Sequence, residues 1–123
     1  GVSFTGPVER KNIPGYIAAF DIALQPDVTD YASPIKMFEY ISMGKGVVAP
    51  KKKNITEILS DDYPGLFEPG NWQDMGNKIM DIADSKGKSQ KLANTAFNIF
   101  QSKQYLWKNN ARKTVELLTR SLK

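Results

Sequence analysis

The feature that most constrains the fold is punctuation. Over residues 1–70, short apolar runs recur about every twenty residues, and each is stopped by Gly or Pro. Val2-Ser3-Phe4-Thr5 is closed by Gly6-Pro7, Asp21-Ile22-Ala23-Leu24-Gln25 by Pro26, Gly46-Val47-Val48-Ala49 by Pro50, and Gly65-Leu66-Phe67-Glu68 by Pro69. Such runs are short for helices and lack clean alternation, which suits parallel strands buried on both faces. Helix signals lie between them. Ile13 to Phe20 carries Pro14 at an early helical position, where its missing N–H costs little. Ser33-Pro34 reads as an N-cap and first helical residue, opening a helix to about Met43 that Gly44 ends. Asn54-Ile55-Thr56-Glu57 has the shape of a capping box before a helix to about Leu59. This alternation predicts an α/β fold with a parallel sheet of about four short strands and flanking helices.

From Asn71 the pattern becomes helical. Met75, Ile79 and Ile82 mark one amphipathic helix, and Leu92, Ala96, Ile99 and Phe100 a second. Trp107, Ala111, Val115, Leu118 and Leu122 mark a third, with Lys86-Gly87-Lys88 read as a break between helices. The expected organisation is one domain over residues 1–123, with an α/β part over 1–70 and a helical part over 71–123.

A chain of 123 residues fits that size. It contains no Cys and no His. Disulfides, thiolate zinc sites and cysteine nucleophiles are therefore excluded, and the commonest general base and metal ligand are missing. The longest run without a charge, Leu92 to Ser102, is far short of the roughly 20 apolar residues of a membrane span. Gly1-Val2-Ser3-Phe4 has no basic stretch leading into an apolar run, so no signal peptide is expected. Charge is uneven. Residues 1–85 carry 8 basic and 12 acidic side chains, whereas residues 86–123 carry 9 basic and 1 acidic. A basic third can serve nucleic acid, an anionic membrane surface or an acidic partner, or can be a solvated helical face. Here the apolar stripe has ordinary core spacing, which favours packing. Phe97, Phe100, Tyr105 and Trp107 could stack on bases, but aromatics at helical spacing are more often core residues.

In an open parallel sheet, ligands bind beyond the carboxyl ends of the strands. The most promising such end is Leu24-Gln25-Pro26, whose loop leads into Ser33-Pro34. A helix N-terminus there offers unpaired N–H groups and the positive end of the macrodipole, both suited to phosphate. Lys36 lies in the first turn and Glu39 projects from the same face. Their plainer reading is a surface ion pair. Lys51-Lys52-Lys53, also on the carboxyl side, reads either as attraction for a diphosphate or anionic acceptor, or as a solvated loop.

The run Ala32-Ser33-Pro34-Ile35-Lys36-Met37-Phe38-Glu39-Tyr40-Ile41-Ser42-Met43-Gly44-Lys45-Gly46-Val47-Val48-Ala49 resembles a segment of the family 4 (group 1) glycosyltransferases. Specifically, it resembles the S-P-x-K-x-x-E-Y form of their donor-binding motif and the G-K-x-V-V-A strand after it. The flanks agree in order. Val2-x-Phe4-x-Gly6 is similar to the V-x-F-x-G strand, and Tyr16-Ile17-Ala18-Ala19-Phe20-Asp21-Ile22 to a Y-x-A-x-A-D-I step. Ile55-x-Glu57-Ile58 precedes Gly65-Leu66-Phe67-x-Pro69, similar to G-L-L-F-x-P, and Trp107-x-x-Asn110-Ala111-Arg112 is similar to W-x-x-N-A-R.

The resemblance implies the GT-B fold, two Rossmann-like lobes around a cleft, with this chain a part of the C-terminal, donor-binding lobe. It assigns Glu39 to the ribose hydroxyls of a nucleoside-diphosphate sugar. It also implies that backbone N–H groups around Ser33, Pro34 and Ile35 face the diphosphate, with Lys36 adding charge (Pro34 itself donates nothing). Reaction with retention is implied by the family alone, and neither a metal nor a cofactor is expected. Many members carry a second glutamate, eight residues before the first, that contacts the donor sugar. That position is Tyr31 here, and the adjacent Asp30 is a candidate substitute. The family's enzymes are about three times longer. The resemblance therefore implies that the acceptor lobe and the diphosphate-clamping Arg and Lys lie outside this chain, which by itself is expected to be catalytically silent. Its open strand edges invite a homodimer or a rearranged sheet. The expected partners are the sugar donor and, through the absent N-terminal lobe, a glycan or lipid-linked acceptor. No nucleic acid is expected. The expected location is the cytoplasm, peripheral at the inner face of the membrane, in polysaccharide biosynthesis. The rival is a small flavodoxin-like α/β binding or regulatory domain whose basic helices engage nucleic acid or a protein partner.

Overall fold

The computed structural model describes residues 1–103 and 107–122. A 3-10 turn, Arg10–Asn12, runs into α1 (Ile13–Ala18), followed by β1 (Ala23–Leu24), α2 (Ile35–Ser42), β2 (Val47–Pro50), α3 (Lys53–Leu59) and β3 (Leu66–Phe67). Three helices follow: α4 (Trp72–Ala83), α5 (Lys86–Ser102) and α6 (Trp107–Ser121). The architecture is α/β, consistent with a partial Rossmann-like arrangement. Three parallel strands lie in the order β1-β2-β3. Ala23 is opposite Val47 and Leu24 opposite Val48. Ala49 is opposite Leu66 and Pro50 opposite Phe67.

The centre is β2, all four residues of which are buried. Its apolar run needs cover on both faces. Met37 and Ile41 of α2, Ile55, Ile58 and Leu59 of α3, Ile82 of α4, and Leu92, Ala96 and Phe100 of α5 provide it. Proline is tolerated at the end of this central strand because its missing N–H falls where Lys51 takes over, donating to the Phe67 carbonyl at 2.8 Å. α5 packs against α2, α3, α4 and β2 together. Phe100 meets Phe38 edge to face at 5.8 Å, and Phe97 packs half-buried against the same cluster, so these two aromatics belong to the core. Tyr105 lies outside the described residues.

Four sequence expectations change. Val2–Thr5 forms no strand, and Val2 and Phe4 are 84% and 94% exposed. A strand needs a neighbour for its backbone N–H and C=O groups, and the described sheet offers this segment none. Pro34, with φ −80° and ψ 72°, is the centre of an inverse γ-turn and not the first helical residue. The helix therefore starts at Ile35, and Ser33 stands too far back to cap it. Asn54 lies inside α3, which begins at Lys53, and so forms no capping box. Lys86 to Lys88 opens α5 and is no break, because Ser85 caps the helix through Lys88 N–H. Gly44, at φ +72°, ends α2 as expected.

The third amphipathic pattern folds as a helix but packs differently from the expected core stripe. Val115, Leu117, Leu118 and Leu122 are all exposed.

One buried polar contact governs the top of the sheet. Val47 N–H donates to the Tyr63 hydroxyl at 3.0 Å, and Tyr63 is only 3% exposed. Burial pushes the phenol well above its ordinary range despite that hydrogen bond. Tyr63→Phe should cost about 1–3 kcal/mol, because it leaves the Val47 N–H buried without a partner. The unfolded chain loses the phenolic proton near pH 10 while the folded chain keeps it. Tyr63's contribution should therefore be complete below pH ~10 and fall as pH rises beyond it, and the phenylalanine variant should show a shallower slope there. Urea titrations at pH 8 and above check both. Gly65 is equally constrained: a Cβ there would collide with the Val47 carbonyl oxygen and lie 2.7 Å from the Tyr63 ring. Gly65→Ala should destabilise by about 1–3 kcal/mol in the same titration.

Candidate functional site

The candidate residues gather where β1 ends and α2 begins. α2 is fixed from below by Met37 and Ile41, both fully buried, and at its start by buried Pro34. The helical period then turns Lys36 and Glu39 outward, and both are exposed. The surface pair of their plainer reading does not form; among the described residues neither side chain takes part in an ion pair. Ile35 N–H donates to the Ser33 carbonyl at 2.9 Å and Met37 N–H to the Pro34 carbonyl at 2.9 Å. A phosphate seated at this turn would compete with Ser33 for the first of these amides. Ser33 itself is exposed, and Ile35 is 67% exposed.

Glu39 borders a hollow of about 230 Å³ between α1 and α2. Ile13, Pro14 and Ile17 make its apolar wall, Ser42 and Met43 close it, and Arg10 joins Glu39 at its rim. The wall is held by Lys45, whose ammonium donates to the Ala18 and Phe20 carbonyls at 2.7 and 2.9 Å. A cation at a helix C-terminus satisfies orphan carbonyls and complements the dipole, so Lys45 docks α1 beside α2. Phe20 meets Tyr40 edge to face at 5.9 Å. The Tyr40 phenol is pushed up, first by burial and then by the neighbouring Glu39 carboxylate. Apolar wall, carboxylate acceptor and guanidinium donor are together suited to a flat polar ligand bearing hydroxyls.

The loop over residues 27–32 runs beside this face. Tyr31 is 92% exposed at its crest. Asp30 lies 3.5 Å from the Lys52 ammonium, which also contacts Asp27 at 3.0 Å. The hydrogen bond from Lys52 is the main reason the Asp27 carboxyl sits below its ordinary range, and Asp27 in turn raises Lys52. Of the Lys51–Lys53 run, the middle residue is thus a loop ligand, a role that neither sequence reading gave it. Asn54 completes the hold by donating to the Thr29 and Ala32 carbonyls at 3.0 and 2.8 Å. Among the described residues no cluster of three or more metal-ligating side chains occurs, and no helix is long and apolar enough to cross a membrane.

The model of the group 1 glycosyl transferase family matches residues 1–85. The chain belongs to that family. The matched stretch contains the Glu39 hollow, the Ser33–Lys36 turn and the loop before it, so the whole candidate site of this group 1 glycosyltransferase chain falls inside its family region. TuaH of Bacillus subtilis (strain 168), named a teichuronic acid biosynthesis glycosyltransferase, is 29% identical over 75 residues. That alignment covers 51% of this chain and 19% of TuaH, so the chain spans less than a quarter of its relative's length. No solved structure matches the chain.

Sequence reasoning named Glu39, Lys36, Ser33, Pro34, Ile35, Tyr31 and Asp30, and all lie along one continuous stretch at the carboxyl end of β1. It missed Arg10 and Lys45 as parts of the site, and the hold of Lys52 and Asn54 on the loop. Arg10 reaches the hollow only through a 3-10 turn that no pattern announces. For Lys52 the only available clue was two Asp residues in the facing loop.

Proposed function

We propose that this chain is the donor-binding portion of a retaining glycosyltransferase that moves a sugar from a nucleoside diphosphate to a glycan or lipid-linked acceptor. The observation that carries the proposal is Glu39 at the rim of the apolar hollow between α1 and α2, inside the family region. Its exposed carboxylate can accept two ribose hydroxyls, and the wall of Ile13, Pro14 and Ile17 suits the nucleoside's flat face. The hollow is smaller than the roughly 300–1,000 Å³ of a complete ligand pocket, as befits a half-site finished by another lobe. The Ser33–Ile35 turn and Lys36 then lie one helical turn away, on the diphosphate side. In the reaction the bond from the sugar to the diphosphate breaks, the acceptor hydroxyl oxygen takes its place and gives up its proton, and the nucleoside diphosphate leaves with the bonding pair.

The acceptor is met through an N-terminal lobe outside this chain, and the likeness to TuaH supports a surface polysaccharide as its class. Work at the inner membrane face is supported by α6 and the residue after it, where Val115, Leu118 and Leu122 are exposed together with Arg112, Lys113 and Arg120.

Calorimetric titration with UDP, GDP and ADP tests the reading. One nucleotide should bind, and Glu39→Ala should weaken it by about 10-fold or more, the scale of a lost hydrogen bond to a charged group. Equal affinity in the variant, or silence of the intact enzyme toward all three, would reject the assignment. Asp30→Ala should weaken the nucleotide sugar more than the bare nucleoside diphosphate, because Asp30 stands in for the missing sugar-contacting glutamate; equal effects would remove it from that role.

A further inference from the structure

The loop over residues 27–32 packs only Val28 against the core. Its internal bonds are few. Gln25 Nε2 donates to the Asp27 carbonyl at 2.6 Å, Val28 N–H to Asp27 Oδ1 at 2.8 Å, and Ala32 N–H to the Thr29 carbonyl at 3.0 Å. Such a segment has little to set its shape from within. Among the described residues, the hydrogen bonds and ion pairs that tie it to another element come from two side chains at the β2–α3 junction. Lys52 reaches the Val28 carbonyl at 2.7 Å, Asp27 Oδ1 at 3.0 Å and Asp30 Oδ1 at 3.5 Å. Asn54 reaches the carbonyls of Thr29 and Ala32. Three acceptors match the three donors of an ammonium, and two carbonyls match the two of an amide. The Asn54 amide oxygen is left buried with no partner, a cost the fold accepts to keep its nitrogen on the loop.

We infer that Lys52 and Asn54 are positioning residues for the donor. They hold the loop in the shape that delivers Tyr31 to Lys36 to the ligand, and Lys52 neutralises two carboxylates beside the place where the diphosphate sits. The inference rests on the donor reading above. The physical core of it is charge: without Lys52, Asp27 and Asp30 face an anionic ligand uncompensated, and the loop loses three of its ties at once. Lys51 and Lys53, both exposed, share neither contact.

A residue that only supports the fold would affect every ligand alike, so the test compares ligands that differ in what reaches the loop, the diphosphate charge for Lys52 and the attached sugar for Asn54. The nucleoside diphosphate selected by the UDP, GDP and ADP panel, and the uncharged nucleoside of the same base, are titrated into the protein and followed by amide chemical shifts, which read weak as well as tight binding. Lys52→Met keeps the stem and removes the ammonium. It should weaken the diphosphate about 10-fold and the nucleoside less than about 2-fold. Lys52→Arg should recover most of the loss, and so should adding Asp27→Asn and Asp30→Asn to Lys52→Met. Asn54→Ala, which removes the tie without touching charge, should weaken the nucleotide sugar more than the nucleoside.

Lys52→Met binding the diphosphate as tightly as the unaltered protein overturns the inference. Parallel loss for both ligands overturns it too, reducing Lys52 to a structural role. In either case the donor reading stands, because the unaltered protein binds. Failure of the unaltered protein to bind any of the three nucleotides overturns both together.

Discussion

The sheet and the helices packed on it are arranged around the complete burial of one four-residue strand. Val47–Pro50 has no face that tolerates water, so it must be flanked by strands on both edges and helices on both sides. Parallel neighbours of this kind need crossover connections, and α2 and α3 are those connections. The crossovers deliver the site. α2 has to carry Met37 and Ile41 inward to cover the strand, and the same helical period then turns Lys36 and Glu39 outward. The chemistry of the exposed face is a by-product of the geometry of the buried one.

The site is also divided between two kinds of support. The Glu39 hollow is walled by packed helices and held by a lysine on helix-end carbonyls. The neighbouring loop is held by an ammonium and an amide reaching across from the next junction. Apolar packing gives the first rigidity. The second depends on a few polar bonds, each worth about 1 kcal/mol, and so is the softer half. A face built this way can stay fixed at its hollow while its loop adjusts.

Much of this was legible in the residues, and the exceptions share a cause. The buried strand, the Gly44 stop and the face of α2 follow from local pattern, because each is decided within a few residues. Val2–Thr5 has a strand's composition, yet a strand is completed by a partner, and composition does not announce whether one is present. Ser33-Pro34 has the look of a cap and first turn, and a single ψ angle at Pro34 moves the helix by one residue. Asn54 has a capping residue's chemistry and spends it on a loop more than twenty residues earlier in the chain. In each case the side chain's capability was readable and its target was not. The same holds for the site: Glu39 and Lys36 were visible through the family motif, while Arg10 and Lys52 act through contacts across space.

The bare face of α6 bears on how the chain behaves as a thermodynamic object. A helix of fifteen residues is marginal in water without tertiary contacts, and Val115, Leu117 and Leu118 on this one are all more than half exposed. Its order is therefore only weakly coupled to that of the sheet. The strand-centred part can melt as one cooperative unit while α6 frays on its own schedule, so a single midpoint from circular dichroism would average two populations. Any surface that covers Val115, Leu118 and Leu122 would merge the two transitions into one, and the breadth of the melt would then report whether that stripe is covered.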